Sequence, residues 1–246
     1  MARLPLPRDY ILASLMYIDN RLEQLPNCSL INHNDVQKIV SYNPRHEYKV
    51  TSVKGKKLMS LFGERRKLEE LRRALIKKWS DSYSDKIDLN SVIICGHGNV
   101  LGDDIWNELK EDTNSYQKQD SLYHNGIKMR SRGEMFVGEI LDQLGLDYLY
   151  EPEMIIDGRS VCPDFVVRVP VFGCCFIVEY MGCLDEYGYL DKNKSKIGMY
   201  FHSGIFLGTN LVILCADRNS APSLDTIHNS IVSLLANLCS IYLKVS

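Results

Sequence analysis

The sequence predicts a mixed α/β (α+β) chain in which a basic N-terminal module precedes a layered C-terminal domain. From residue 130 onward, apolar residues recur first with helical spacing and then in short strand-like runs. Residues 45–78 contain twelve Lys and Arg against four Glu, although the whole chain has a net charge of −2. The basic charge is therefore concentrated in one N-terminal segment.

The N-terminal module is predicted over residues 1–80. Residues 9–25 have apolar side chains at a period near 3.5, which predicts an amphipathic helix that ends at Pro26. Residues 47–62 alternate in polarity and predict a basic hairpin, and residues 64–79 predict a second helix. We therefore expect a helix-hairpin-helix module.

Residues 81–127 are poorly periodic and rich in Asn, Asp, Ser and Gly, so we expect a linker with short elements. A second domain is expected over residues 128–246. Its predicted elements are a helix between Ser131 and Gly145, strands at 148–156, 165–171 and 174–180, a helix at 186–202, a strand at 210–216 and a helix at 223–243. The first six give the order α-β-β-β-α-β, which favours a mixed sheet flanked by helices.

The sequence also predicts a cytoplasmic protein. The N-terminus has no pattern of a signal peptide, and the eight cysteines include no C-x-x-C pair, so we expect reduced thiols rather than disulfides or a zinc knuckle. The longest apolar window, residues 231–243, is too short and too polar to span a bilayer. No membrane partner is therefore expected.

Three carboxylates occupy positions that favour a metal site. Asp164 follows Pro163 at the start of one predicted strand, and Glu179 ends the next strand. If these strands form an antiparallel hairpin, the two side chains meet at one edge of the sheet. Glu134, in the first turn of the preceding helix, can reach the same edge. Carboxylates together with a strand carbonyl are ligands that Mg²⁺ prefers, and such a metal can activate water against a phosphodiester.

Each carboxylate also has a structural interpretation. Glu134 can be a helix cap in a capping box with Ser131, and Asp164 can mark a turn. Glu179 is harder to explain in this way, since a carboxylate that follows a run of apolar residues is costly to bury unpaired.

Several segments in this region resemble a known superfamily. They are Ser131-Arg132-Gly133-Glu134, Tyr150-Glu151-Pro152, Pro163-Asp164-Phe165 and Val178-Glu179-Tyr180-Met181-Gly182, followed by Tyr189, Lys196 and Tyr200. This set is similar to the PD-(D/E)XK (restriction-endonuclease-like) nucleases, and more narrowly to a group of bacterial proteins with this domain at the C-terminus. The resemblance covers residues 130–216 and implies a restriction-endonuclease-like fold. It also implies an endonuclease that uses Mg²⁺, with Mn²⁺ able to substitute, on nucleic acid and in particular DNA.

The resemblance implies the roles of individual residues. The metal ligands would be Asp164, Glu179, the backbone carbonyl of Tyr180, and Glu134 either directly or through water. The superfamily pattern has a lysine two residues after Glu179, where this chain has Met181. Lys196 is the candidate replacement, because it shares a helical face with Tyr189 and Tyr200, and Lys192 is a second choice. The alternative is that these lysines form a solvated charge run.

The basic segment has two interpretations that the sequence leaves open. It can track the phosphates of a nucleic acid, or it can be the solvated outside of a helical module. The candidate nucleic-acid-binding residues are Lys54, Lys56, Lys57, Arg65, Arg66, Arg72 and Arg73.

The function of the whole chain is open in the same way. Besides a nuclease, the residues fit a catalytically inactive nuclease-fold protein that binds nucleic acid or assembles with other proteins, or, with less support, a phosphohydrolase of small substrates. A homodimer or a protein partner is compatible with the sequence.

Overall fold

The computed structural model describes residues 2–33, 35–96, 100–111, 122–182, 189–216 and 221–245, without the side chains of residues 189–192 and 245. These residues form six α-helices and thirteen β-strands in five sheets, one of which is mixed, so the prediction of a mixed α and β chain is confirmed. The chain divides into two compact units, one of Ile11–Ser91 and one of Met1–Tyr10 with Val92–Ser246.

The Ile11–Ser91 unit consists of two helices and a three-stranded antiparallel sheet. Its elements are most of α1 (Arg8–Gln24), then β1 (Cys28–His33), β2 (Val36–Tyr42), β3 (Arg45–Lys49) and α2 (Val53–Ser82). The strands follow the chain order β1-β2-β3, and α2 contacts all three of them. The helix predicted at 9–25 is confirmed as α1.

The basic hairpin predicted over residues 47–62 is wrong, because α2 is a single helix of 30 residues that begins at Val53. The Ser52 side chain caps this helix by accepting a hydrogen bond of 3.1 Å from the Gly55 N–H. A Cβ atom at Gly55 would lie 2.0 Å from the Lys49 carbonyl oxygen, so this glycine permits a close approach to the end of β3 rather than forming a hairpin turn. The module is therefore helix, three-stranded sheet, helix, and the sequence prediction missed β1 and β2.

The second unit contains the remaining elements. They are β4 (Val92–Ile94), α3 (Asp103–Trp106), β5 (Tyr123–His124), β6 (Ile127–Lys128), α4 (Arg132–Leu144), β7 (Asp147–Tyr150), β8 (Met154–Ile156), β9 (Arg159–Val161), β10 (Phe165–Val169), β11 (Cys174–Met181), α5 (Tyr189–His202), β12 (Leu211–Cys215), α6 (Leu224–Tyr242) and β13 (Leu243–Val245). A single 3₁₀ turn lies at Pro170–Phe172 in this unit, and another lies at Leu89–Ser91 at the end of the Ile11–Ser91 unit.

The largest sheet of this unit has the strand order β12-β11-β10-β7. Strand β10 is antiparallel to both β7 and β11, whereas β11 is parallel to β12 across the connection that contains α5. The smaller pairs are β8 with β9, β5 with β6, and β4 with β13. Along the chain, the strands of the main sheet and the helices beside them follow the order α4-β7-β10-β11-α5-β12.

The helix predicted between Ser131 and Gly145 is confirmed as α4. The Ser131 side chain accepts from the Glu134 N–H at 3.1 Å, and Gly145 ends the helix with a left-handed φ of 77°. The strand predicted at 148–156 divides into β7 and β8. The helix predicted at 186–202 is α5 from Tyr189, and residues 186–188 lie outside the described ranges.

One face of the main sheet packs against α5. Tyr200 of α5 is fully buried in a cluster with Val166 of β10 and Ile177 of β11. Since side chains alternate along a strand, Glu179 lies on the same face as Ile177, and Asp164 lies on the same face as Val166. The α5 face of the sheet therefore presents both carboxylates.

The seven cysteines within the described residues are free thiols. Within the same ranges, no helix combines the length and the apolar character needed to cross a bilayer.

Some basic residues of α2 bind α1 and others face solvent. We therefore expect substitutions in the two groups to differ in their effect on the free energy of unfolding. Arg65 Nη2 donates to the carbonyl oxygens of Leu22 and Leu25 at 2.8 and 3.1 Å, at the end of α1. Hydrogen bonds to a charged donor contribute about 1.5–3 kcal/mol. We expect Arg65→Ala to lower the free energy of unfolding by about this amount, as measured by urea denaturation.

The matched control is Arg66→Ala, because Arg66 is the next residue in the chain and is exposed. Its effect should stay within about 0.5 kcal/mol. Equal losses of stability in the two variants would contradict a tethering role of Arg65.

Candidate functional site

Asp164 and Glu179 are neighbours across the β10–β11 pair. Phe165 pairs with Val178 in an antiparallel register, so the next position along brings Asp164 opposite Glu179. The Tyr180 N–H donates to Asp164 Oδ2 at 2.6 Å, which fixes the aspartate to the end of β11. The hairpin assumed from the sequence is therefore present, and it brings these two carboxylates together.

Glu179 is buried, with 3% of its surface exposed, and has two partners from α5. Lys196 Nζ contacts both carboxylate oxygens, Oε2 at 2.8 Å and Oε1 at 2.7 Å. The Tyr200 hydroxyl donates to Oε1 at 2.5 Å. Burial of a carboxylate is costly unless it is paired and hydrogen-bonded, and both conditions are met here.

Lys196 lies on the helical face that carries Tyr200, as the residue spacing predicts. It also donates to the Cys162 carbonyl oxygen at 2.9 Å, so its ammonium bridges the approach to β10 and the end of β11. Lys194 is exposed on another face. The side chains of Tyr189 and Lys192, which the sequence placed on the Lys196 face, lie outside the described residues.

Glu134, in the first turn of α4, lies near the Asp164 carboxylate. It is buried, and the Tyr150 hydroxyl donates to its Oε2 at 2.6 Å while the Ser131 hydroxyl donates to its Oε1 at 2.9 Å. A Cβ atom at Gly133 would lie 1.9 Å from the Tyr180 ring, so this glycine lets β11 pack closely against the first turn of α4. Glu134 therefore lies in the first turn of α4, where its side chain contacts the cap residue Ser131, and it is a neighbour of the Asp164 charge.

A second ion pair at this site was missed by the sequence interpretation. Arg130 Nη1 donates to Glu151 Oε1 at 2.9 Å, and Glu151 is only 1% exposed. The Glu151 N–H donates to the Asp164 carbonyl oxygen at 2.9 Å. The sequence signal for this ion pair was Glu151, a charged residue directly before Pro152 at the end of a strand. The sequence interpretation used Glu151 only as part of the Tyr150-Glu151-Pro152 motif.

The carboxylates destabilise one another's charged forms. Burial raises the pKa of Glu179 to about 7, the charge of Asp164 adds to the shift, and Lys196 opposes it. Burial also raises the pKa of Asp164, against the effects of Lys196 and the Tyr180 N–H. Burial and then the Asp164 charge raise the pKa of Glu134. The cluster therefore favours a proton or a cation.

Lys196 keeps its charge in this environment. Burial disfavours the ammonium, but the charges of Glu179 and Asp164 outweigh burial and raise the pKa of Lys196. Lys196 is therefore a charged partner beside Glu179, and it offsets part of the cost of charging the buried carboxylates.

The donor atoms at this site fit a hard cation. They are carboxylate oxygens that repel one another, and Mg²⁺ and Mn²⁺ prefer such ligands. The described residues nevertheless contain no group of three or more His, Cys, Asp or Glu side chains arranged to hold a metal. The donor set that fits a cation is therefore the Asp164–Glu179 pair, with Glu134 engaged by Tyr150 and Ser131.

The seven basic residues predicted to bind nucleic acid all belong to the Ile11–Ser91 unit and have different roles within it. Arg65 contacts the end of α1, and Arg72 Nε donates to Asp19 of α1 at 2.6 Å, so these two hold the unit together. The Lys54 ammonium lies 5.9 Å from the centre of the Tyr48 ring. The residues Lys54, Lys56, Lys57, Arg66 and Arg73 are exposed.

The raised pKa of Glu179 predicts how stability depends on pH in metal-free protein. Between its ordinary value of 4.5 and about 7, the folded state binds a proton that the unfolded chain releases. The contribution of this proton to the free energy of unfolding is fully present below pH 4.5 and is lost as the pH rises through about 7. We expect urea denaturation in EDTA to show a loss of up to about 3 kcal/mol from this group.

Glu179→Gln removes the titrating group, so its stability should fall less steeply over the same pH range. Glu70→Gln, at an exposed position on α2, is the control and should retain the wild-type slope. A Glu179→Gln protein with the wild-type slope would show that this carboxyl is not the titrating group.

Comparisons with protein-family models, with curated proteins and with solved structures gave no match for this chain. The likeness to the PD-(D/E)XK superfamily therefore depends on the motif residues themselves. A function has to be inferred from the chemistry of Asp164, Glu179 and Lys196 and of the groups around them.

Proposed function

We propose that the chain is a metal-dependent nuclease that hydrolyses phosphodiester bonds of DNA at the Asp164–Glu179 pair, in a domain of the PD-(D/E)XK type. The observation that carries this proposal is the contact of Lys196 Nζ with both oxygens of Glu179. It brings to the carboxylate pair the ammonium that the superfamily pattern would place at Met181. The order α4-β7-β10-β11-α5-β12 around a mixed sheet supports the assignment.

The proposed metal ligands are Asp164, Glu179 and the backbone carbonyl of Tyr180. Bound Mg²⁺, or Mn²⁺ in its place, supplies Lewis acidity and a water that is nucleophilic near neutral pH. Glu134, whose oxygens accept hydrogen bonds from Ser131 and Tyr150, is proposed to bind the metal either directly or through a water molecule.

We assign to Lys196 the role of orienting the nucleophilic water. An ammonium has three donors, and those of Lys196 are directed at Glu179 and at the Cys162 carbonyl oxygen. A water molecule beside Glu179 would have to take the place of one of these acceptors, and the ammonium could then orient it and offset the charge that develops on the phosphate. Tyr200 holds the remaining hydrogen bond to Glu179 and so keeps the carboxylate oriented.

The exposed basic residues of α2 are proposed to bind the substrate backbone. The exposed residues of the predicted set are Lys54, Lys56, Lys57, Arg66 and Arg73, and phosphate contacts of this type give affinity that depends on salt rather than on base sequence. Arg65 and Arg72 are excluded from this set because α1 already binds them.

Incubation of the full chain with plasmid, linear and single-stranded DNA and with RNA tests the proposal. Cleavage of DNA is expected with Mg²⁺ or Mn²⁺ and not with EDTA. Asp164→Asn and Glu179→Gln should each lose detectable cleavage, because each removes a charge that binds the cation. Millimolar Mn²⁺ should raise the melting temperature of the wild type, since it binds the folded state.

Asp157→Asn is the matched control, because Asp157 is an exposed carboxylate in the β8–β9 turn of the same unit. It should cleave at the wild-type rate. Cleavage that persists in EDTA or in Glu179→Gln would refute the metal mechanism.

Lys196→Met tests whether the relocated lysine acts in the reaction. The rate should fall by roughly 10²–10⁴, the scale for a positioned proton-transfer or charge-stabilising group, with the Mn²⁺ shift in melting temperature retained. Lys194→Met, at an exposed position of the same helix, should have little effect. A wild type that binds DNA but cleaves nothing would assign the chain to the non-catalytic alternative.

A further inference from the structure

The Lys196 ammonium is shared between the two oxygens of Glu179. Its Nζ lies 2.7 Å from Oε1 and 2.8 Å from Oε2, and the Tyr200 hydroxyl donates to Oε1 at 2.5 Å. A carboxylate has about four lone-pair sites, and these three contacts leave one of them, on Oε2. A further ligand of Glu179 therefore has to bind directly beside the ammonium or replace it.

The charge of Lys196 also acts on Asp164. Burial raises the pKa of Asp164, and the charge of Lys196 is the strongest influence against this rise. Burial disfavours the ammonium in turn, but the charges of Glu179 and Asp164 leave Lys196 with a raised pKa. One ammonium thus partly neutralises both members of the carboxylate pair, which is the electrostatic role of a bound cation at such a pair.

Lys196 has an acceptor that does not belong to the carboxylate pair. Its Nζ donates to the Cys162 carbonyl oxygen at 2.9 Å, and its side chain is 23% exposed. This backbone acceptor lies just before β10, two residues ahead of Asp164. An ammonium that leaves Glu179 therefore keeps a partner at the site.

A second cation close to Glu179 meets strong repulsion. Like charges a few ångströms apart repel far more in a buried site than in water, because the interior screens them poorly. Mg²⁺ also requires a near-ideal octahedron of oxygen ligands, which leaves little freedom to avoid the ammonium. The ammonium and a divalent cation therefore compete for the same carboxylate.

We propose that Lys196 is a built-in competitor of the metal, which gives up Glu179 when a divalent cation binds and stays at the site through the Cys162 carbonyl. This inference rests on the proposed nuclease function and describes how its metal site is regulated. The competing ligand is a hard divalent cation, Mg²⁺ or Mn²⁺. The displacement also frees the donor with which Lys196 is proposed to orient water.

The direct test observes the Lys196 ammonium in the full-length wild type by ¹H–¹⁵N NMR of the lysine Nζ groups, first in EDTA and then with Mg²⁺. Absence of the resonance in Lys196→Met identifies it. We expect it to shift or to broaden beyond detection as Mg²⁺ binds, because the ammonium loses its carboxylate acceptor. Backbone amide shifts of Asp164 and Glu179 report independently that the site is saturated.

Calorimetric titration with Mg²⁺ measures the competition itself. Lys196→Met lacks the competitor, so it should bind Mg²⁺ at least about 10-fold more tightly than the wild type, a ratio typical of a close charge pair. The two affinities are compared in the alkaline limit of a pH series, where no proton competes for the carboxylates. Lys194→Met, at an exposed position of the same helix, is the control for a general charge effect and should match the wild type.

The outcomes separate this inference from the nuclease proposal. An unchanged Lys196 resonance in saturating Mg²⁺, or no tighter binding by Lys196→Met, in a protein that cleaves DNA would overturn the competition and leave the nuclease standing. Displacement of Lys196 in a protein that cleaves no nucleic acid would support the competition and refute the nuclease. A wild type that binds no divalent cation would refute both.

Discussion

The burial of the Glu179 carboxylate is the constraint on which the site depends. A charge that follows five apolar residues of β11 loses its hydration, and an unpaired carboxylate there would cost several kcal/mol. Helix α5 offsets part of this cost, because Lys196 contacts both carboxylate oxygens and Tyr200 donates to one of them. The docking of α5 on the sheet and the protonation state of Glu179 are therefore coupled.

The same pairing explains why the acidic cluster is tolerated. Asp164 raises the pKa of both Glu179 and Glu134, so the three carboxylates together disfavour the folded state near neutral pH. Lys196 on the α5 side and Arg130 on the α4 side reduce this repulsion. A cluster that serves only stability would be better replaced by apolar side chains, which avoid the cost of desolvation. The repulsion that persists suits a cation.

The basic N-terminal unit illustrates how a charge count differs from a binding surface. The helix α2 contains both the arginines that hold α1, Arg65 and Arg72, and the arginines that face solvent, Arg66 and Arg73. Residues seven apart lie on the same side of an α-helix with 3.6 residues per turn, so Arg65 and Arg72 share one side of α2 and Arg66 and Arg73 share another. The charge excess alone therefore overstates the surface that is available to a polyanion.

The sequence by itself determined α4, β10, β11, α5, β12 and α6 in their order, although not the division of 148–156 into β7 and β8 or the strand β9, and it determined that Asp164 begins and Glu179 ends neighbouring strands. Apolar periodicity and the capping residues Ser131 and Gly145 are local signals. The sequence also determined that Lys196 shares a helical face with Tyr200. Only the tertiary structure decided that this face packs over Glu179. The wrong hairpin prediction at residues 47–62 and the missed Arg130–Glu151 contact have the same cause. The structure at both places depends on groups that are distant in the chain or on backbone conformations, such as the positive φ of Glu151, and side-chain patterns do not encode these.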